Sequence, residues 1–198
     1  MSQPRKHISP EEYLARERAA DFKSEYYLGE MFAMSGGSRA YSLIAGNVIT
    51  SLNIQFKDRS CEVHGSDMRV KVSETGLYTY PDVSAFCGEG EFEDEHVDTL
   101  LNPQLIVEVL SPTTEKYDPL GKFAQYRTIA SLQEYVQIAQ DRIYMERCRR
   151  HDGDEFLSRI CLDMDDIVEL ESVGVTLLVR DVYARIDFNL DASPAKSP

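Results

Sequence analysis

The sequence has no tryptophan, only four histidines and only 21 Lys and Arg against 34 Asp and Glu, for a formal net charge of −13 over 198 residues. The shortage of positive charge argues against binding nucleic acid over a broad basic face, because that affinity comes largely from Lys and Arg neutralising phosphates. A local basic site is still allowed, since a field depends on how charge is distributed as well as on its sum. His7, His64, His96 and His151 show no ligand spacing and read as surface or packing residues. Cys61, Cys87, Cys148 and Cys161 form no C-x-x-C pair and have no histidine at metal-finger spacing, which argues against structural zinc. Set among apolar or mixed residues, they read as free buried thiols, and a reducing compartment, the cytoplasm, follows as the default. No apolar run approaches the roughly 20 residues that span a bilayer. The first ten residues lack the apolar segment of a signal peptide.

What remains is 42% hydrophobic, enough for one domain with a real core and too short for two comfortable ones. Residues 1–8 read as a flexible lead-in, 9–188 as the domain and 189–198 as a disordered tail. Ser9-Pro10-Glu11-Glu12 is a helix start, with a capping serine and a proline at the first helical position. Residues 25–34 read as one strand, broken by Gly36-Gly37-Ser38. Ile44, Val48, Leu52 and Phe56 then recur as one buried helical stripe, in which Gly46 and Asn47 point to packing or a close approach. Residues 67–72 alternate like a half-buried strand, and 78–86 read as the next strand, with Pro81 marking an edge or a bulge. The acidic stretch 87–98 reads as a solvated loop without the spacing of a calcium-binding loop. Asp118-Pro119 opens a third helix carrying Phe123, Tyr126 and Ile129. Strands at 135–139 and 143–148, one or two more within 156–170 and a short C-terminal helix complete an α/β (α+β) domain with a mixed sheet flanked by helices.

The strongest strand is 104–110, and it carries one charge, Glu108, on the face it shares with Ile106 and Leu110. An unpaired buried carboxylate costs several kcal/mol or shifts until it is neutral. Glu108 therefore requires compensation by a basic partner, hydrogen bonds or a cation. Asp82 lies on the face of its strand shared by Tyr80 and Ser84 and meets Glu108 if the two strands pair across the acidic loop. Two convergent carboxylates suit Mg²⁺, which takes hard oxygen ligands and keeps several waters. Taken alone, Asp82 reads equally as a turn aspartate beside Pro81, Asp118 as a helix cap and Lys122 as a solvent-facing lysine.

Tyr80-Pro81-Asp82-Val83, then Glu108-Val109-Leu110-Ser111-Pro112-Thr113-Thr114, then Asp118 with Lys122 and Tyr126, resemble the Uma2 family of restriction-endonuclease-like proteins in the PD-(D/E)XK nuclease superfamily. Gly29-Glu30 and Gly46-Asn47 extend the resemblance, which covers 9–188. It implies a nuclease-like core with Asp82 and Glu108 as metal ligands and the Val109 carbonyl as an added ligand. The superfamily lysine follows the glutamate by two positions. Leu110 stands there, so the resemblance assigns the ammonium to Lys122. Glu30 is a candidate for the edge of the site. Family members often carry a histidine near the start of the second helix, where this chain has Tyr41.

The expectation is a Mg²⁺- or Mn²⁺-dependent endonuclease acting on DNA, with Asp82, Glu108 and Lys122 as its catalytic residues. It would be a cytoplasmic homodimer with no membrane attachment. The alternative, motivated by Tyr41 and the acidic balance, is a catalytically inactive nuclease-like binding or regulatory module.

Overall fold

The chain begins with α1 (Pro10–Ala19), where the Ser9 side chain accepts the Glu12 amide at 3.2 Å and Pro10 occupies the first turn, as expected. The computed structural model describes residues 7–111 and 121–191. Residues 1–6 of the expected lead-in 1–8, the Ser111-Pro112-Thr113-Thr114 strand end beyond Ser111, the Asp118-Pro119 helix start and residues 192–198 of the expected tail 189–198 lie outside the described residues.

The single strand expected over 25–34 is a hairpin, β1 (Ser24–Tyr27) with β2 (Glu30–Ala33). The chain reverses at Leu28 and Gly29, with φ of 48° and 82°. Two successive left-handed residues give the turn whose twist matches paired strands. A leucine there is uncommon, so the turn left little trace in the sequence. Next comes α2 (Arg39–Phe56), with Ile44, Val48, Leu52 and Phe56 all buried on one face. Each such side chain contributes roughly 1.5–3 kcal/mol. The Asn47 amide donates to the carbonyls of Val182 and Ala184 at 2.9 and 3.1 Å, a packing role that ties α2 to the C-terminal segment.

After β3 (Cys61–Gly65) and β4 (Arg69–Val72), the strand expected over 78–86 splits into β5 (Leu77–Thr79) and β6 (Val83–Cys87). They belong to different sheets. Pro81 has no N–H to give to a ladder, and the chain crosses between sheets at that interruption. The remaining elements are β7 (Thr99–Leu100), β8 (Leu105–Leu110), α3 (Lys122–Tyr126), β9 (Glu134–Ala139), β10 (Met145–Arg150), β11 (Phe156–Cys161), β12 (Ile167–Leu170), β13 (Val175–Leu178), α4 (Val179–Val182) and α5 (Phe188–Asp191). One sheet runs β2-β1-β5-β4-β7 and the other β11-β10-β9-β8-β6-β3, with β12 and β13 as a separate hairpin. Helix α2 and the β12–β13 hairpin cover one face of the six-stranded sheet. The five-stranded sheet and α3 cover the other, where Val70, Leu77 and Leu100 meet Ile106, Tyr126 and Tyr135. Strands β6 and β8 feed both cores, with Val83, Ala85 and Val107 on one side and Phe86 and Ile106 on the other. Burial on both faces is why β8 reads as a nearly continuous apolar run.

Two further expectations are corrected. Cys61 and Cys87 are not free thiols but a disulfide, formed between residues directly opposite one another in β3 and β6. They are 26 positions apart, so only strand register reveals the pair. Cys148 and Cys161 are free and buried, but the inference of a reducing compartment from four thiols no longer holds. The acidic segment after β6 is also pinned rather than simply solvated. Arg18 reaches Asp94 and Asp98 at 2.8 Å each, and Arg69 reaches Asp98 at 2.9 Å. Among the described residues no helix is long and apolar enough to cross a membrane.

Candidate active site

The crossing at Pro81 delivers Asp82 to the mouth of β6. Strands β6 and β8 pair antiparallel with Val83 opposite Val107, and one further step along that register sets Asp82 across from Glu108. Both are 8% exposed. Asp82 Oδ2 accepts the Val109 amide at 2.6 Å, and Oδ1 accepts the Tyr41 hydroxyl at 2.6 Å. Tyr41 stands in the first turn of α2, where the Ser38 hydroxyl accepts the Tyr41 amide at 3.0 Å and donates to the Gln140 side chain just beyond β9. That contact fixes the start of α2 over the strand ends.

Glu108 accepts through Oε1, taking the Tyr126 hydroxyl at 2.8 Å with the Lys122 ammonium at 3.7 Å. Lys122 opens α3 and makes its shorter contact, 2.8 Å, with Glu25 Oε1. Glu25, also 8% exposed, accepts the Thr79 hydroxyl at 2.6 Å. The site therefore joins both sheets: Glu25 and Thr79 come from one, Asp82 and Glu108 from the other, with α3 between them.

Sequence reasoning missed Glu25. The signal was an acid in the tyrosine-rich run Ser24-Glu25-Tyr26-Tyr27, obscured because 25–34 read as one strand. Glu30, the acid chosen there, opens β2 opposite Tyr27, two cross-strand pairs from Glu25 on the same face.

Burial dominates the electrostatics. It pushes the Glu108 carboxyl up to about 8, with Lys122 opposing and Asp82 adding to the shift. It also raises Asp82, against the pull of the Tyr41 hydroxyl and the Val109 amide. Burial works against the Lys122 ammonium, but Glu108 and Glu25 outweigh it and hold its pKa above the usual lysine range. Three buried carboxylates thus gather about one ammonium, and the charge within the cluster does not balance. Such an excess is relieved by protonation or by a cation. Among the described residues no group of three or more His, Cys, Asp or Glu side chains assembles in metal-holding geometry. A cation here would rest on Asp82 and Glu108, completed by backbone oxygen and water. That hard-oxygen donor set fits Mg²⁺ or Mn²⁺.

A model of the Uma2 family, described as "Putative restriction endonuclease", matches residues 10–180. The chain belongs to this family. An uncharacterized protein of Synechocystis sp., slr1290, is 34% identical over 187 residues, spanning 94% of this chain and 97% of its own length. A second Synechocystis protein, the uncharacterized sll1609, is 39% identical over 133 residues, 67% of this chain and 75% of its own. The crystal structure of a putative nuclease belonging to DUF820 from Anabaena variabilis superposes with a TM-score of 0.70 at 19% identity, covering 89% of this chain and 98% of that one. The Uma2 chain thus has a restriction-endonuclease-like fold, a mixed α+β architecture as the sequence suggested. Fold alone does not establish chemistry, which rests on the site.

Proposed function

We propose that the protein is a metal-dependent endonuclease that hydrolyses phosphodiester bonds in DNA. The observation that carries the reading is the meeting of two buried carboxylates, Asp82 and Glu108, beside the Lys122 ammonium. The family's description and the nuclease-like fold support the same class of activity. Asp82 and Glu108 would hold Mg²⁺ or Mn²⁺, with the Val109 carbonyl as a further oxygen. Bound there, such an ion supplies Lewis-acid polarisation of the phosphodiester and a more acidic water.

The chain's own residues do the positioning. Tyr41 and the Val109 amide fix Asp82, and Tyr126 fixes Glu108. Lys122, steadied by Glu25, can orient the attacking water or offset charge growing on the phosphate. A homodimer belongs to this reading, since duplex DNA presents two strands and a two-fold pair of sites matches them. The decisive experiment incubates the protein with DNA and Mg²⁺ or Mn²⁺ beside the Glu108→Ala variant. Cleavage by wild type alone is expected, and equal cleavage by both overturns the assignment.

A second reading is a nuclease-like module that binds without cutting. It is favoured by the Tyr41 hydroxyl seated on Asp82 and by the net charge of −13. Calorimetric titration with Mn²⁺ separates the two: binding that Asp82→Ala abolishes counts against the inactive module.

A further inference from the structure

Sheets guard their edges with short strands, charges or covering elements, because a bare edge recruits another strand. Three edges here follow that rule. Strand β7 has two residues, β2 has four, and β3 carries Glu62 and His64. Strand β11 does not. It is six residues long, contains one charge and no proline, and exposes Leu157, Ser158, Arg159 and Ile160 in succession. Leu157 is 57% exposed and Ile160 51%. Among the described residues β11 pairs only with β10.

The backbone pattern shows what that edge offers. The Arg150 amide donates to the Gln133 carbonyl at 2.8 Å, and the Tyr144 carbonyl accepts the Ala139 amide at 3.0 Å. The even-numbered residues of β10 therefore direct their polar groups toward β9. In an antiparallel ladder, opposed residues either exchange both bonds or both turn away. Arg150, Cys148 and Glu146 stand opposite Phe156, Ser158 and Ile160. The N–H and C=O groups of Phe156, Ser158 and Ile160 consequently point outward from the sheet.

We propose that β11 is a homodimer interface, in which two copies pair antiparallel about a two-fold axis at Ser158 and join their six-stranded sheets into one. A two-fold axis perpendicular to the sheet can pass through any residue of the strand, because residues of like parity then oppose one another and outward groups meet outward groups. Centring on Ser158 brings all three outward residues, Phe156, Ser158 and Ile160, opposite outward residues of the partner's strand, whereas centres one residue away bring only two. Phe156 then faces the partner's Ile160, an aromatic–β-branched pair of the stabilising kind. Leu157 faces the partner's Arg159. The register centred one residue on would oppose Arg159 to the partner's Arg159, a like-charge pair directly across the strands, and would bond only two of the three outward residues, so the Ser158 register is favoured. This inference does not depend on the nuclease reading.

Sedimentation equilibrium of the full chain at micromolar concentration is expected to give a dimer. Ser158→Pro deletes an outward N–H that β10 does not use and should weaken dimerisation by roughly 100-fold or more, with far-UV circular dichroism unchanged. If the proline disturbs folding, Ile160→Lys supplies the same test from a side chain. Ser158→Cys should form a covalent dimer under mild oxidation, because opposed hydrogen-bonded residues lie about 5.5 Å apart at Cα, within disulfide reach. Leu157→Cys, which faces the partner's Arg159 rather than its own copy, should not. A monomeric wild type overturns the proposal. So does a dimer that neither crosslinks through Ser158→Cys nor weakens on Ser158→Pro or Ile160→Lys.

Discussion

The Tyr41 hydroxyl donates to Asp82 Oδ1 at 2.6 Å while the Val109 amide donates to Oδ2 at 2.6 Å, so Asp82 is held at both oxygens. Tyr41 is thus a donor to the candidate metal ligand. Replacing Tyr41 by Phe keeps the ring and removes the hydroxyl, with its bond to Asp82 and its contact with Ser66. A buried acceptor losing its donor costs about 1–3 kcal/mol, so the metal-free variant should melt at lower temperature. The freed Oδ1 should then take Mn²⁺ several-fold more tightly, and saturating Mn²⁺ should restore the lost stability. Calorimetry and melting curves with and without Mn²⁺ check both halves. Loss of Mn²⁺ binding would show that the hydroxyl assembles the site rather than competing for it.

Glu108 gives a pH dependence with a definite sign. Its carboxyl sits at about 8 in the fold against an ordinary value of 4.5. Between those values the folded chain binds more protons than the unfolded chain, so the slope of stability with pH is negative there. The contribution is complete below about 4.5, declines as pH rises and is exhausted above about 8. Each unit of difference is worth about 1.4 kcal/mol at most. Denaturant melts of the metal-free protein from pH 5 to 9 should show this decline, and Glu108→Gln should flatten it. An unchanged slope in the variant would place the titration elsewhere.

The contrast between Glu108 and Glu25 marks how far the sequence could be read. Glu108 was legible because a charge among apolar strand residues demands compensation in any fold. Asp82 was legible in its face but not its position, since the split at Pro81 and the antiparallel register that brings it to Glu108 are tertiary facts. Lys122 was legible only through family resemblance, as five residues of helix carry too little pattern. Glu25 was hidden by a hairpin whose turn uses Leu28 at positive φ instead of a residue that prefers it. The Cys61–Cys87 bond was hidden for a related reason: residues 26 apart become neighbours only when two strands find their register. The stripe of α2, set by local periodicity, was readable outright.

The disulfide predicts a redox-dependent stability. Closing a loop of this length is worth about 3.5 kcal/mol through the unfolded chain. Reduction, or Cys61→Ser with Cys87→Ser, should lower the unfolding free energy by roughly 2–4 kcal/mol. Thiol titration of the denatured, unreduced protein should find only Cys148 and Cys161. Four reactive thiols before reduction would show that the bond is not formed.

The Glu25–Lys122 contact at 2.8 Å is the most direct test of the site as a coupled unit. Lys122→Ala leaves Glu25 and Glu108 buried beside no ammonium. Removing one partner of a buried pair typically costs about 3–5 kcal/mol. Glu25→Gln keeps a polar group for Thr79 but removes the negative charge, so Lys122 should turn toward Glu108. In the double variant one buried charge of the pair is gone with its counter-charge, so the loss should fall short of the sum of the two single changes. A coupling energy on the order of 1–3 kcal/mol is expected from the double-mutant cycle. Activity should separate the two roles. Lys122→Ala removes the ammonium offered to the phosphate and should reduce cleavage by roughly 100-fold or more. Glu25→Gln should act more mildly and shift the pH profile, because it changes which carboxylate the ammonium neutralises. Additive stabilities, with an unshifted profile in Glu25→Gln, would mean that Glu25 supports the sheet and leaves the lysine's chemistry untouched.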